Sequence, residues 1–294
     1  SVGSLPEPSG EAVRHLGLGL PGLVDRAGTL RYGPHLPGVV DARVDGLLAA
    51  RLGIAVSVDN DGNCAALAEA CHGGGRGHGH VLFVGLGTGI SCGMVIDGQL
   101  LRGGHGFAGE PGHFVIDPAG PPCACGRRGC WESLASGTGL AHLANRASAA
   151  ARGGAATRSD DAPVGGGWRA TRTDELRGED VTVALAGGEP WAAAVLAEFA
   201  GWVAKGLAVL VALFDPDVIV LGGSMMVTGE ALLGPIRSRL AEEVFRPAER
   251  GGPPLVGAEL GRRAGAVDAV PTFVPQSVRD QLGPSAAPCQ VQTD

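Results

Sequence analysis

Residues 107–132 read FAGEPGHFVIDPAGPPCACGRRGCWE, and this stretch carries the most informative pattern in the chain. Three cysteines, Cys123, Cys125 and Cys130, fall within eight residues, and His113 lies ten residues before the first of them. Zinc prefers four tetrahedral nitrogen and sulfur ligands, and three thiolates with one imidazole are typical of a structural site. The spacing therefore predicts a structural Zn²⁺ ion at these four residues. The alternative is a group of buried free cysteines with an unrelated histidine.

Two carboxylates border this cysteine loop. Glu110 precedes His113 by three residues, and Glu132 follows Cys130 by two. A metal in the loop would fix the positions of both side chains. Carboxylate oxygens and an imidazole held rigidly suit hydrogen bonding to several hydroxyl groups, as a sugar requires. The alternative is that each glutamate is a solvated residue at one end of the loop.

A second polar cluster lies upstream, between a β-rich run and a strong helix former. Asp59-Asn-Asp-Gly-Asn63 follows the run 54–58 and precedes the alanine-rich run 64–70, so we expect it on a strand-to-helix turn. Sites in α/β sheets form at the carboxyl ends of strands. Asp61 is the candidate general base, since the positive end of a helix keeps a carboxylate ionised. Alternatively, Asp59 or Asp61 only caps the helix.

Two glycine-rich turns each follow a buried strand. The first contains Gly87, Thr88 and Gly89, and the second is Gly222-Gly223. Glycines at such positions let backbone amides approach phosphate oxygens, and the Thr88 hydroxyl can add a hydrogen bond. A tight hairpin turn is the alternative for the first. Neither turn has the spacing of a Walker motif or of the dinucleotide fingerprint.

Periodicity predicts the remaining elements. We expect strands within 16–25, 54–58, 80–85, 93–98 and 218–221, with 80–98 as a hairpin, and helices over 44–52 and 191–214. Residues 146–180 lack apolar periodicity and predict a mobile insertion. The Pro-, Ser- and Gln-containing tail after residue 272 predicts irregular structure.

Composition limits the functional classes. The net charge of -7 argues against a nucleic-acid binder, because such proteins concentrate Lys and Arg on one face. No stretch approaches 18 uncharged apolar residues, and the first ten residues lack a signal-peptide pattern. Clustered cysteines suit metal binding in a reducing compartment. We therefore expect a cytoplasmic protein without membrane or nucleic-acid partners.

Together these motifs resemble the ROK family of bacterial sugar kinases and sugar-responsive repressors, and actinobacterial-type glucokinases in particular. The resemblance runs from about residue 17 to about residue 270. It is carried by six stretches: 19–25 (GLPGLVD), 59–68 (DNDGNCAALA), 86–90 (LGTGI), 107–113 (FAGEPGH), 123–132 (CACGRRGCWE) and 135–138 (ASGT).

The resemblance implies a two-lobed α/β fold of the actin-like or hexokinase type, related to ribonuclease H. Residues 1–66 would form the smaller lobe, to which about 255–272 would return. Residues 67–254 would form the larger lobe, with the zinc site and the insertion 146–180, and 273–294 an irregular tail.

The resemblance also implies the reaction, which is ATP-dependent phosphorylation of a hexose, glucose to glucose 6-phosphate being the first expectation. Asp61 would take the proton from the 6-hydroxyl. Four side chains and one backbone position would hold the sugar: Asn60, Glu110, His113, Glu132 and Gly22. The nucleotide, as ATP with Mg²⁺, would lie on the two glycine turns: Gly87, Thr88 and Gly89 for phosphates, and Gly222 and Gly223 for adenosine. A homodimer or homotetramer is expected by the same resemblance.

The sequence departs from the family pattern at its start. The Asp-x-Gly-Gly-Thr-Lys phosphate turn of the family does not occur, which predicts a smaller lobe truncated at the N-terminus with an exposed sheet edge. A fragment and a naturally shortened paralogue are both compatible with this departure. Two other functions stay open: the sugar-sensing domain of a repressor, whose helix-turn-helix segment would precede the core, and an inactive sugar-binding remnant. The sequence leaves open the identity of the hexose and whether ATP or polyphosphate is the donor.

Overall fold

The computed structural model describes residues 15–34, 36, 38–151 and 175–261. The strands are β1 (His15–Leu20), β2 (Leu23–Val24), β3 (Leu30–Tyr32), β4 (Ala55–Asn60), β5 (Val81–Leu86), β6 (Ile90–Ile96), β7 (Gln99–Leu100), β8 (Val218–Gly222) and β9 (Leu255–Gly257). The helices are α1 (Val44–Leu52), α2 (Asp61–His72), α3 (Trp131–Ala135), α4 (Gly137–Ala151), α5 (Gly178–Ala186), α6 (Pro190–Phe214), α7 (Glu230–Glu243) and α8 (Pro247–Arg250). Short 3₁₀ helices cover Pro111–His113 and Ser224–Thr228.

A five-stranded mixed sheet in the order β7-β6-β5-β8-β9 forms the centre of the larger part. Strands β5 and β6 make the predicted antiparallel hairpin, while β8 runs parallel to both β5 and β9. Side chains alternate along each strand, so Leu82 and Val84 face one core and Val81 and Phe83 face another. Both faces are covered, which explains why these strands are apolar at successive positions.

Helix α6 is the largest contributor to the core of this part. Its length and hydropathy would suit a membrane span, yet most of its best apolar window is buried inside the protein. Eleven of its residues are buried, Phe199 and Leu207 completely. It packs against α3, α4, α5 and α7. We therefore interpret α6 as a core helix, bounded at its end by Asp215 in a left-handed conformation with φ 45°.

The smaller part contains two separate two-stranded sheets. Strands β1 and β4 pair in parallel, β2 and β3 pair antiparallel, and α1 contacts β4. Its buried core is small and consists of Val24, Leu30 and Val58. Five of the six residues of β1 are only partly buried. Within the described residues, β1 and β4 thus pair only with each other.

Helix α2 and its surroundings correct two of the predicted boundaries. A division between residues 66 and 67 would cut α2, which is continuous over Asp61–His72 and packs on β5 and β6. The return of 255–272 to the smaller lobe is wrong for β9, because Leu255 and Val256 pair with β8 in the larger sheet. Residues 262–272 and the predicted tail 273–294 lie outside the described residues.

A buried carboxylate fastens the chain after β9 to α2. Glu69 has no solvent-accessible surface. Its oxygens accept hydrogen bonds from the backbone N–H groups of Gly74, Glu259 and Leu260, at 2.9, 3.1 and 2.9 Å. These amides satisfy the charge, as burial of a carboxylate requires. Glu69 thereby joins the end of α2 to a segment about 190 residues downstream.

The predicted insertion 146–180 is shorter in the structure. Helix α4 continues to Ala151, and α5 begins at Gly178. Asn145 binds the backbone of Leu176 in both directions, with its Nδ2 donating at 2.7 Å and its Oδ1 accepting at 2.9 Å. Both ends of the predicted insertion are therefore ordered, and its central residues 152–174 lie outside the described residues.

Candidate functional site

The four predicted zinc ligands converge in the structure. The donor atoms of His113, Cys123, Cys125 and Cys130 all lie within 4.8 Å of one another. The Sγ atoms of Cys125 and Cys130 are 3.6 Å apart, and His113 Nδ1 is 3.7 Å from Cys123 Sγ. Tetrahedral ligands with zinc–sulfur bonds of about 2.3 Å would be separated by about 3.8 Å. This cluster can hold a metal ion, and its spacing fits tetrahedral zinc.

Local backbone geometry closes the cysteine loop. Gly129 has φ 65°, and a side chain there would place Cβ within 1.5 Å of the Asp117 carbonyl oxygen, so only glycine fits. The Cys125 thiol is the most exposed of the three. Burial opposes its ionisation, but hydrogen bonds from the backbone and side chain of Arg127 outweigh burial and lower the pKa of Cys125 to about 7. Arg127 therefore favours the thiolate that a metal requires.

Trp131 anchors the end of this loop in the core. The side chain is completely buried between the loop and α6, and its Nε1 donates to the Trp202 carbonyl at 2.9 Å. Its ring stacks on Phe114, with the centroids 5.5 Å apart. A side chain at Gly206 would collide with the indole. The residue between Cys130 and Glu132 is thus fixed on both sides.

Asn60 provides the cap of α2. Its Oδ1 accepts from the N–H groups of Gly62 and Asn63 at 2.8 and 3.2 Å. Its Nδ2 donates to the Gly22 carbonyl at 3.1 Å, which joins two of the predicted sugar-binding positions. Helix α2 begins at Asp61, so the polar cluster lies partly in β4 and partly in the helix. The alternative that Asp59 or Asp61 is the N-cap is wrong, since Asn60 has that role.

Asp61 lies in the first turn of α2, close to the other predicted carboxylates. Glu110 is mostly buried, and burial, followed by repulsion from Glu132 and then from Asp61, raises its pKa to about 7. Glu132 Oε2 accepts from the backbone N–H of Ile90 at 2.9 Å. Asp61 in α2 and Glu132 in α3 therefore both lie within electrostatic range of Glu110, in the loop before the 3₁₀ helix. The fold thus brings together residues 71 positions apart in sequence, from Asp61 to Glu132.

The two glycine turns also meet. Gly85 and Gly222 are register partners in the parallel pair β5–β8, so both strands end at the same edge. A side chain at Gly223 would come within 2.2 Å of the Leu86 carbonyl oxygen. Gly137 and Thr138 support the first turn by donating to the carbonyls of Gly87 and Thr88, at 2.7 and 3.0 Å.

Glu132 connects the glycine turn to the carboxylates. It binds Ile90, directly after the turn, and a side chain at Gly89 would collide with its Oε2. The region facing the carboxylates is therefore continuous with the turn that contains Gly87, Thr88 and Gly89. A ligand with hydroxyls at one end and phosphates at the other suits this arrangement.

Asp59 takes part in a network that the sequence did not reveal. Its Oδ2 accepts from Arg102 Nε at 2.7 Å, and its Oδ1 accepts from Asn63 Nδ2 at 2.8 Å. Asp59 is 5% exposed and Asn63 is completely buried. The signal in the sequence was limited to an acidic residue beside Asn60. Its partner Arg102 lies 43 residues away in a loop without periodicity.

Comparison with known proteins shows the family of the chain. The model of the ROK family matches residues 3–273. The chain belongs to the ROK family. It is 35% identical to a glucokinase of Streptomyces coelicolor over 266 residues, which cover 88% of this chain and 80% of that protein. Its fold is the two-lobed, actin-like α/β fold of ROK sugar kinases.

Solved structures of the ROK family include enzymes and regulators. The structure of a ROK family glucokinase from Streptomyces griseus in complex with glucose and AMPPNP aligns with a TM-score of 0.75 and 34% identity, covering 88% of this chain and 81% of that one. A ROK family transcriptional regulator, a homolog of the E. coli Mlc protein, aligns with a TM-score of 0.71 and 27% identity, covering 87% and 61%. Both functional branches of the ROK family are thus similar to this chain.

Proposed function

We propose that this ROK protein is a cytoplasmic hexose kinase that transfers the γ-phosphoryl group of ATP to the 6-hydroxyl of glucose. The main support for this proposal is the position of Asp61 in the first turn of α2, within electrostatic range of Glu110 and next to Asn60. A base must reach the hydroxyl that attacks, while neighbouring polar groups hold the ring. The Streptomyces coelicolor glucokinase and the Streptomyces griseus glucokinase in complex with glucose and AMPPNP support the same substrates.

In this proposal the sugar binds between the two parts of the chain. Asn60 and the backbone at Gly22 contact it from one side, while Glu110, His113 and Glu132 accept and donate hydrogen bonds from the other. His113 directs Nδ1 toward Cys123, which leaves Nε2 for a hydroxyl. Several fixed partners for several hydroxyls give specificity, because a sugar lacking one hydroxyl leaves a buried polar group unpaired.

Zinc is the metal that we propose for the four-residue cluster. His113, Cys123, Cys125 and Cys130 would hold it, and a fully ligated ion of this type supplies structural support. With the loop closed on zinc, the imidazole of His113 and the carboxylate of Glu132 would keep fixed positions. The role of the ion is therefore to position sugar-binding residues.

Asp61 would remove the proton from the 6-hydroxyl as the oxygen attacks the γ-phosphorus. The bond from that phosphorus to the β–γ bridging oxygen would break, and ADP would leave. Phosphoryl transfer depends on positioning and on neutralising charge. In the proposal, backbone amides of Gly87, Thr88 and Gly89 contact the phosphates, and Gly222 and Gly223 border the adenosine. The magnesium complex of ATP is the proposed donor, with polyphosphate as the competing donor. A homodimer or homotetramer is the proposed assembly.

A second candidate function is sugar sensing without turnover. The similarity to the Mlc homolog favours it, since that regulator has the same fold. Its sugar site would use the same residues, so sugar binding alone does not discriminate between the two functions. Turnover does.

The test is a coupled assay of glucose 6-phosphate formation by the zinc-loaded protein with ATP and Mg²⁺, repeated with polyphosphate. We expect turnover that falls about 10²–10⁴-fold in Asp61→Asn, because general-base catalysis contributes that factor. Calorimetry of glucose binding to both proteins is the control. Wild-type binding without turnover would contradict the kinase and support the sensor, whereas equal rates in wild type and Asp61→Asn would remove Asp61 as the base.

A further inference from the structure

Arg102 connects the loop after β7 to the end of β4, next to the sequence that carries the candidate base. It follows β7, and its Nε donates to Asp59 Oδ2 at 2.7 Å. Asp59 ends β4 together with Asn60 and closely precedes Asp61 in the polar cluster. The side chains of Arg102 and Asp59 are 26% and 7% exposed. This ion pair is therefore mostly shielded from water. Charge interactions are stronger in such a partly buried position than in water.

Asp59 also forms hydrogen bonds with two other residues of the turn. Its Oδ1 accepts from the backbone N–H of Asn60 at 2.6 Å and from Asn63 Nδ2 at 2.8 Å. Asn60 in turn caps α2 and binds Gly22. Both oxygens of the Asp59 carboxylate are thus engaged. Rotation of this carboxylate would disturb the residues on either side of Asp61.

Asn63 extends the network to the loop that carries Glu110. Its Nδ2 is bound to Asp59, which fixes the orientation of the amide. Its Oδ1 has no hydrogen-bond partner among the described residues and lies 3.8 Å from the site where a Cβ on Gly109 would be. The Asp59 carboxylate therefore supports α2 directly and, through Asn63, reaches the loop that carries Glu110.

The charges of Asp59, Asp61 and Arg102 also act on one common neighbour. The thiol of Cys64 in α2 senses several of these groups: burial, followed by negative Asp59 and Asp61, raises its pKa to about 12, while Arg102 acts in the opposite direction. All three charged groups thus lie within electrostatic range of one site. Arg102 offsets the charge of Asp59 beside the base. Asp61 and Asp59 both act on the Cys64 thiol together with Arg102, and Asp61 and Glu132 both act on the Glu110 carboxyl.

We propose that Arg102 is a positioning residue for phosphoryl transfer, which fixes the Asn60–Asp61 turn through Asp59 and neutralises the carboxylate near the base. This inference rests on the proposed kinase function. It assigns to Arg102 no contact with sugar or nucleotide. Substitution of Arg102 should therefore change mainly kcat and the pH profile of the rate, and change the affinity for ATP less.

A second arginine supplies the matched control. Arg26, in the smaller part, donates through Nε to the Gly103 carbonyl at 2.9 Å and through its backbone N–H to the His105 carbonyl at 3.3 Å. It holds the same loop as Arg102 but does not contact Asp59 in these hydrogen bonds. Loss of loop anchoring alone would affect Arg26→Met and Arg102→Met alike.

The experiment compares Arg102→Met, Arg102→Lys, Arg26→Met and the double variant Asp59→Asn/Arg102→Met with the zinc-loaded wild type. Rates of glucose phosphorylation are measured from about pH 5.5 to 9, with zinc content and thermal unfolding as checks of folding. We expect Arg102→Met to lower kcat about 10–100-fold and to move the acid limb of the kcat/KM profile to higher pH. Arg102→Lys keeps the charge and loses less.

The double variant gives the sharpest result. The amide introduced at position 59 would keep an oxygen for Asn63 and remove the uncompensated charge. The acid limb then returns toward the wild-type position, and kcat recovers at least several-fold. Arg26→Met stays within about threefold of wild type, because it leaves the contact of Arg102 with Asp59 in place.

Three results would overturn the inference, and the first two are distinguishable from the third. If Arg26→Met and Arg102→Met have equal effects, or the pH profile does not move, the inference is wrong while the kinase stands. A wild type that does not phosphorylate glucose, whether or not it binds glucose, removes both the kinase and this inference.

Discussion

The two walls of the candidate site are supported by different means. Glu132 and His113 belong to a loop with a metal-ligand cluster, and Trp131 between them and the core is completely buried. Gly22 and Asn60 lie at short strands whose residues are half-exposed, and their support is a few hydrogen bonds. The first wall is held by packing and by the ligand cluster, and the second by hydrogen bonds such as that between Asn60 and Gly22. We infer that the first wall sets the site geometry and that the second adapts to it.

The metal cluster gives the largest expected effect. Cys130→Ser should abolish stoichiometric zinc binding and glucose binding, because a structural zinc site contributes about 10–16 kcal/mol of apparent binding free energy and uses every ligand. Elemental analysis for zinc and calorimetry with glucose measure the two losses. Cys64→Ala is the matched control, since Cys64 is a buried cysteine outside the cluster.

Absence of a metal from the first wall would contradict the proposed difference in support between the two walls. If the wild type contains no zinc after growth in zinc-supplemented medium, packing around Trp131 alone supports the loop. If Cys130→Ser keeps one ion per chain, Cys130 is not a required ligand. Cys64→Ala must keep its zinc for the experiment to be specific.

A clash in the second wall gives an intermediate effect. Gly22 has φ 109°, and a Cβ there would lie 2.1 Å from the Tyr32 carbonyl oxygen. Gly22→Ala should therefore lower the free energy of unfolding by about 3 kcal/mol, through a strained φ and a displaced β2–β3 hairpin. Gly28→Ala should lower it by only about 1–2 kcal/mol, because φ there is also positive but the neighbours are 3.7 Å away or farther.

Chemical denaturation measures both alanine variants, and limited proteolysis reports which part opens. Cleavage confined to residues 15–60 in Gly22→Ala would support two walls of unequal stability. Equal losses in the two variants would show that the Tyr32 contact is absorbed without strain.

The smallest effect concerns a carboxylate that destabilises the first wall. The pKa of Glu110 is raised from 4.5 to about 7, so well below pH 4.5 both folded and unfolded chains carry the proton. As the pH rises toward 7 the unfolded chain loses its proton first, and stability falls by about 1.4 kcal/mol per unit in that window. Glu110→Gln should therefore be more stable than wild type by about 2 kcal/mol at pH 8, and should differ little at pH 5.

Unfolding curves at both pH values measure this difference, with Glu243→Gln on the surface of α7 as control. The same Glu110→Gln variant should bind glucose more weakly, since an amide replaces an acceptor. A variant that is no more stable at pH 8 would place the Glu110 carboxylate in a more solvated position than the structure does.

Local sequence patterns predicted those parts of the molecule whose structure is set by residues close together in the sequence. The ligand spacing from His113 to Cys130 predicted the metal cluster, and continuous apolar runs predicted β5 and β8. The predicted helix 191–214 is confirmed as Pro190–Phe214. Each of these depends on residues close in sequence or on burial of both faces of a sheet.

Long-range pairings were missed for a physical reason. Strand β9 has three residues, and its place beside β8 depends on the whole sheet. The ion pair of Arg102 with Asp59 joins segments that only the fold brings together. Asn60, rather than either aspartate, caps α2, because its amide can accept from the helix and donate to Gly22 at once. A carboxylate cannot donate.

The hydrogen bonds of Glu69 have a consequence for synthesis on the ribosome. Helix α2 carries Asp61 at one end and Glu69 near the other, and two of the amides that satisfy Glu69 come from Glu259 and Leu260. A nascent chain is therefore extended by about 190 residues between the acid and its last partners. At about 5–20 residues per second, this interval lasts about 10–40 s. During it the Glu69 carboxylate has its local partner Gly74 but lacks Glu259 and Leu260, so the surroundings of the helix with the candidate base are completed late.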